Sequence, residues 1–124
     1  MDQANGRRPG FSSAISRQGG VTVVRLSGEL DIATAAELRL AMIEAVSAAG
    51  PPRVVIDVEA VDFCDSTGLS LIVAAMNGAE VAGGRMVLSG VRSRMARVLA
   101  MTGLDRRFEV HGTSADAVRE LRSA

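Results

Sequence analysis

The sequence predicts an α/β fold: a single domain on a mixed, mostly parallel sheet of about five strands with about four helices, in the order β-β-α-β-α-β-α-β-α. Three observations carry this prediction. Two short β-prone runs flank Gly19-Gly20, the mark of an antiparallel hairpin. Beyond Asp31, stretches with a period near 3.6 alternate with β-branched runs of strand length, as in parallel strands joined by right-handed crossovers. The 124 residues, 48% apolar and 23% charged, suit one soluble core and leave no room for a second.

Residues 1–10 are polar, with two Gly, a Pro and an Arg pair, and read as a flexible N-terminal tail; the domain is assigned to 11–124. Phe11 to Ser16 and Val21 to Leu26 form the hairpin strands. Thr34-Ala35-Ala36-Glu37 fits a capping box, and Leu38, Met42, Ala45, Val46 and Ala49 share one face, so a helix is expected from about 34 to 49, stopped by Gly50-Pro51-Pro52. Arg53 to Glu59 reads as a buried parallel strand. Asp65-Ser66-Thr67-Gly68 opens a second helix with an inward stripe of Leu69, Ile72, Val73 and Met76, fading near Gly83-Gly84. Arg85 to Ser89 is the fourth strand. Val91, Met95, Val98, Leu99 and Thr102 mark a third helix, with Gly103 as its left-handed cap. Phe108 to Val110 reads as a short fifth strand, and Thr113 to Asp116 as the capping box of a last helix with Ala117, Val118 and Leu121 inward.

Composition removes several functions. The 14 basic residues are all arginine, so a phosphate-binding loop lysine, a Schiff-base amine and the lysine of a phospho-acceptor receiver site are excluded. Zero net charge, no Trp or Tyr and three Phe argue against a nucleic-acid binder. One cysteine cannot form an internal disulfide, and no apolar run approaches the ~18 residues that span a bilayer, so a cytoplasmic protein without membrane contact is expected. One His and one Cys cannot build a zinc cage, although Asp62 and Asp65 could share a weak Mg²⁺; neither metal nor cofactor is called for.

In such sheets the loops after the carboxyl ends of the strands carry function, which singles out 28–33, 60–68 and 89–93. The densest polar cluster is Asp62-Phe63-Cys64-Asp65-Ser66-Thr67-Gly68. A helix cap needs one side chain, whereas this loop puts two hydroxyls at the positively polarised start of a helix, where a phosphate on Ser66 would be stabilised. A hydrolase serine is the competing chemistry, but Cys64 occupies the first glycine of the G-x-S-x-G elbow and only His111 could act as base. Cys64 reads as a small buried hydrophobe, with redox sensing as the alternative. Eight acids between 29 and 65 face six arginines between 85 and 107, implying an acidic and a basic side, unless these are merely solvated helix faces. Glu29, Asp31 and Asp65 would rim the loop edge, with Arg92 and Arg94 at the start of the third helix able to meet a partner or a phosphoserine at 66.

Gly-Glu-Leu-Asp at 28–31, Val-Val-Ile-Asp-Val at 54–58, Asp-Phe-Cys-Asp-Ser-Thr-Gly-Leu at 62–69, Gly-Gly-Arg-Met-Val-Leu at 83–88 and Met-Thr-Gly-Leu at 101–104 resemble the STAS domain of bacterial anti-sigma-factor antagonists, from about Phe11 to the C-terminus. The resemblance implies partner switching. The unphosphorylated antagonist binds an anti-sigma factor that is also a serine kinase and frees the sigma factor; phosphorylation by that kinase ends the binding, and a PP2C-type phosphatase restores it. Carried over, the acceptor is Ser66, flanked by Asp65, Thr67 and Gly68, and Asp31 matches a position used near the acceptor. Thr67 is a second hydroxyl beside it. The reading is a non-enzymatic binding module, monomeric or weakly dimeric; a scaffold subunit of a stress-signalling assembly and a small nucleotide-binding or hydrolysing protein are the alternatives.

Overall fold

The computed structural model describes residues 10–47 and 50–123. Its elements are β1 (Phe11–Gln18), β2 (Val21–Leu30), a 3-10 turn (Ile32–Thr34), α1 (Ala35–Val46), β3 (Arg53–Cys64), α2 (Ser66–Val81), β4 (Arg85–Ser89), α3 (Ser93–Thr102), a second 3-10 turn (Leu104–Arg106), β5 (Val110–His111) and α4 (Ser114–Ser123). The expected α/β order holds. The tail at 1–9 and the helical positions 48–49, Ala49 among them, lie outside the described residues.

The sheet order is β1-β2-β3-β4-β5, with β1 antiparallel to β2 and the rest parallel. Gln18 pairs with Val21, leaving Gly19 and Gly20, at φ +60 and +83, as the two-residue turn that only residues tolerant of positive φ can make. Neighbouring parallel strands joined by crossovers of one hand must put every connecting helix on one face. Accordingly the main core gathers Leu38 and Met42 of α1, Ile72 and Met76 of α2 and Met95 and Leu99 of α3 against Val24, Ile56 and Leu88. The last helix is bound by no crossover. Its Ala117, Val118 and Leu121 cover the other face over Val21, Val23, Val55 and Val87.

Several boundaries differ from the expectation, each for a local reason. The capping box sits three residues earlier than Thr34–Glu37: Asp31 Oδ1 accepts from the Ala33 and Thr34 amides at 3.0 and 3.1 Å, and Thr34 Oγ1 accepts from the Asp31 amide at 3.1 Å. Asp31 thus starts a 3-10 turn, and Thr34 makes no side-chain cap for α1. β2 extends to Leu30 and β3 to Cys64, so most of what read as loops at 28–33 and 60–68 is strand. Two register shifts, between Arg25 and Ser27 and between Gly28 and Glu29 of β2, each insert one extra residue into β3. Phe108 is buried core on the turn before β5, which pairs only at Val110 and His111.

Candidate functional site

The ends of β2 and β3 are in register, Leu30 opposite Cys64, so the residues that follow them, Asp31 and Asp65, emerge side by side. The Asp65 amide donates to the Leu30 carbonyl at 3.0 Å, tying the start of α2 to the end of β2. Asp65 is extended and caps α2, its Oδ1 accepting from the Gly68 amide at 3.0 Å. Gly68 is buried against β2: a Cβ there would lie 2.5 Å from the Leu30 carbonyl oxygen. No larger residue fits without moving the two segments apart.

This arrangement presents Ser66 at the first position of α2, exposed, where helix amides point outward with no intrahelical partner. Thr67 is half-buried, and its carbonyl accepts from Ser70 Oγ at 2.9 Å. Of the two hydroxyl residues the first is the accessible one. Thr34, buried at the foot of the turn, donates from Oγ1 to the Glu29 carbonyl at 2.8 Å and so fixes the Glu29–Asp31 segment from below. Asp31 and Asp65 therefore stand on backbone frames locked by their own caps, on either side of a single strand boundary.

The two bulges of β3 account for the arginines. Asp57 Oδ1 takes the Glu59 amide at 2.9 Å, an amide the first bulge removes from the ladder. Arg92 Nη1 donates to the Glu59 carbonyl at 3.2 Å and Arg94 Nη1 to the Asp62 carbonyl at 3.1 Å, one arginine on each bulge. Both side chains are exposed, and their described hydrogen bonds go to the β3 backbone upstream of Ser66. Elsewhere the basic block is spent locally: Arg107 binds Glu80 and Asn77, and Arg85 binds Glu109 through two nitrogens.

Two residues of the site were not singled out in the sequence. Ile32, 78% exposed, follows Asp31, and Phe63, 43% exposed, pairs with Glu29 on the outer stretch of β3. They give the acidic edge an apolar component. The signal for Ile32 was present as a large apolar residue directly after a helix-capping aspartate; Phe63 was masked by the bulges, which break strand alternation.

The competing chemistries lose support. His111 Nε2 lies 2.8 Å from Glu109 Oε2, so the chain's only histidine is engaged at the β5 edge, two strands from Ser66. Burial, reinforced by the Asp65 charge, pushes the Cys64 thiol up to about 12, which suits a core residue and opposes redox sensing. Among the described residues no group of three or more His, Cys, Asp or Glu is placed to hold a metal ion, and no helix is long and apolar enough to cross a membrane.

Comparison with known proteins places this geometry in context. A family model described as the STAS domain matches residues 12–117. The chain is 35% identical over 111 residues to the anti-sigma-F factor antagonist RsfB of Mycobacterium tuberculosis, covering 87% of each chain. It is 33% identical over 102 residues to an anti-sigma F factor antagonist of Paenibacillus polymyxa, covering 82% of this chain and 87% of the relative. Among solved structures, an anti-sigma factor antagonist from Mycobacterium paratuberculosis superposes with a TM-score of 0.82 at 31% identity, over 93% of this chain and 97% of the other.

Proposed function

Since the chain belongs to the STAS domain family, we propose that it is an anti-sigma-factor antagonist whose binding to an anti-sigma serine kinase is switched off by phosphorylation of Ser66. The observation that carries this reading is the exposed Ser66 hydroxyl at the first position of α2, held beside Asp31 and Asp65 by the Leu30–Cys64 register. In the unphosphorylated state Glu29, Asp31, Asp65, Ser66 and Thr67, with Ile32 and Phe63, form the face that meets the partner, and Arg92 and Arg94 rim it; Gly68, expected on that face, is buried against Leu30 and acts beneath it by letting α2 approach β2. A cytoplasmic location follows from this role.

Phosphorylation adds roughly −1.5 to −2 charges at a point already bordered by Asp31, Asp62 and Asp65. The free amides and dipole of α2 hold the phosphate, so the helix itself is not broken. What changes is the surface: an uncharged hydroxyl becomes a bulky dianion that a close-fitting partner would have to desolvate. A PP2C-type phosphatase would reverse the step.

The test is site-mapped mass spectrometry after incubation with ATP and an anti-sigma kinase of the same genome, with affinity for that kinase measured in parallel. Phosphate on Ser66 alone, absent in Ser66→Ala, with at least a tenfold loss of affinity, about 1.4 kcal/mol, is the expected result. Phosphate on Thr67 instead, or unchanged affinity after modification of Ser66, would overturn the switch. No complex with any such kinase would overturn the antagonist reading itself.

A further inference from the structure

β1 is an outer strand of the sheet, and among the described residues nothing pairs with its far edge. Folded proteins protect such edges by keeping them short or by interrupting them with bulges, prolines and charges. The opposite edge is protected in the first way, since β5 pairs over two residues only. β1 has none of these devices. Its eight residues pair with β2 without a register shift, include no proline, and carry one charge, Arg17, near one end.

The Glu29 amide donates to the Gly10 carbonyl, one step beyond the Phe11–Gly28 pair, so Gly10 faces β2. Successive residues of an antiparallel strand turn their N–H and C=O to opposite sides. Ser12, Ala14 and Ser16 therefore bond to β2, while Phe11, Ser13, Ile15 and Arg17 direct their backbone groups outward. These four are spaced evenly about Ala14. A second β1 running the other way, with Ala14 opposite Ala14, matches Phe11 with Arg17 and Ser13 with Ile15, through about eight backbone hydrogen bonds. The strand is its own complement. In this register the two Arg17 charges stand about 20 Å apart, so like charges do not meet.

β1 is also incompletely roofed. A groove of about 770 Å³ lies where it runs past α1, with Ser13, Leu40, Ala41 and Glu44 in its lining, and Leu40 is 67% exposed. A copy related by a two-fold axis between the Ala14 residues, perpendicular to the sheet, carries its helices on the same side and brings its own α1 toward this groove.

We propose that a second copy of this chain docks on the outer edge of β1, antiparallel about Ala14, joining the two sheets into one. At one hydrogen bond per 100–200 Å², eight correspond to roughly 800–1,600 Å² of interface, the lower end of what a specific dimer buries. The dimer is therefore weak and concentration-dependent. Its seam lies two strands from β3, so each copy keeps Ser66 open.

The test combines sedimentation velocity of the full chain, from micromolar to millimolar concentration, with cross-linking of cysteine variants. The wild-type mass should double as concentration rises. Ser13→Pro should stay monomeric, because proline removes an outward N–H and leaves the bonds from β1 to β2 in place. Ala14→Cys should give a disulfide-linked dimer under mild oxidation, since the facing Cβ atoms are ~4.5–5.5 Å apart across the axis. Ser16→Cys should not, its two copies being ~13 Å apart, and Cys64 is buried and takes no part. The cysteine pair decides the matter even if Ser13→Pro fails to fold. A wild-type monomer throughout the range would overturn the proposal, as would a folded Ser13→Pro that still dimerises or Ser16→Cys cross-linking as readily as Ala14→Cys.

Discussion

Replacing Gly68 and Gly78 by alanine, one at a time, should move stability in opposite directions although both lie in α2. At Gly78 a Cβ meets nothing within 4 Å, so Gly78→Ala gains helix propensity and reduces unfolded-state freedom, about 0.5–1 kcal/mol of added stability. At Gly68 the same gain is opposed by atoms that cannot swing away: the new Cβ would lie 2.5 Å from the Leu30 carbonyl oxygen, 2.8 Å from Leu30 Cβ and 2.9 Å from its carbonyl carbon. Overpacking of this kind costs about 1–3 kcal/mol. Moving α2 outward to relieve it also strains the Gly68–Asp65 cap and the Asp65–Leu30 bond, roughly a further 1 kcal/mol. The net is a loss of about 1–3 kcal/mol for Gly68→Ala and, since both variants share the propensity gain, a gap of about 2–4 kcal/mol between them. Urea unfolding followed by far-UV circular dichroism would separate their midpoints by roughly 1–2 M, given a slope of ~2 kcal/mol/M for a chain of this size. Equal midpoints, or a Gly68→Ala variant as stable as wild type, would refute the claim that the contact between α2 and the end of β2 sets the position of Ser66.

Asp31→Ala removes the acceptor for two amides of the 3-10 turn and should cost about 1 kcal/mol in the same urea assay, with Asp31→Asn losing far less because its amide oxygen still caps. Cys64 should resist iodoacetamide in the native state, since a thiol pushed up to about 12 leaves roughly one thiolate in 10⁴ at pH 8; mass spectrometry should show labelling only once denaturant unfolds the chain. The hydrogen bonds from Arg85 hold Glu109 below its ordinary 4.5, with His111 helping. Because the folded value is depressed, this group's stabilisation is complete above about pH 4.5 and fades as pH falls through the folded value; with both partners more than a third exposed it amounts to well under 1 kcal/mol. The urea midpoint of Glu109→Gln should therefore approach that of wild type as the pH falls through the lowered folded value.

How much of this was legible depended on whether a signal was local. α2 and α3 were readable because period and terminus agree: Asp65 caps the first, and Gly103, at φ +77, closes the second. The acidic pair at Asp31 and Asp65 was readable in kind, as residues at strand ends, but its side-by-side placement depends on the Leu30–Cys64 register, which no local pattern encodes. The β2 and β3 strands were read short because bulges interrupt alternation, and Glu29, Asp62 and Phe63 then look like loop residues. The capping box read at Thr34–Glu37 lies instead at Asp31–Thr34, whose fourth residue is not the Glu or Gln that the motif calls for. The structure chose Asp31 because Thr34 is drawn into the interior, donating to the Glu29 carbonyl. Arg92 and Arg94 were identified by charge alone, and their hold on the Glu59 and Asp62 carbonyls could be foreseen only by knowing where the bulges fall.

The unbroken strand order has a consequence for what kind of object this protein is. In open parallel sheets a small molecule is usually housed where the order reverses, because the connections then leave in opposite directions and a crevice opens between them. Here β2 to β5 follow one another without reversal and every crossover departs to the same side. The carboxyl edge is therefore a ridge of caps rather than a vault, and Ser66 sits on its crest. A residue so displayed is poorly placed to work on a molecule of its own and well placed to be gripped inside someone else's cleft. On the function proposed above, this chain is the substrate in its encounter with a kinase, and its fold is the handle by which the hydroxyl is offered.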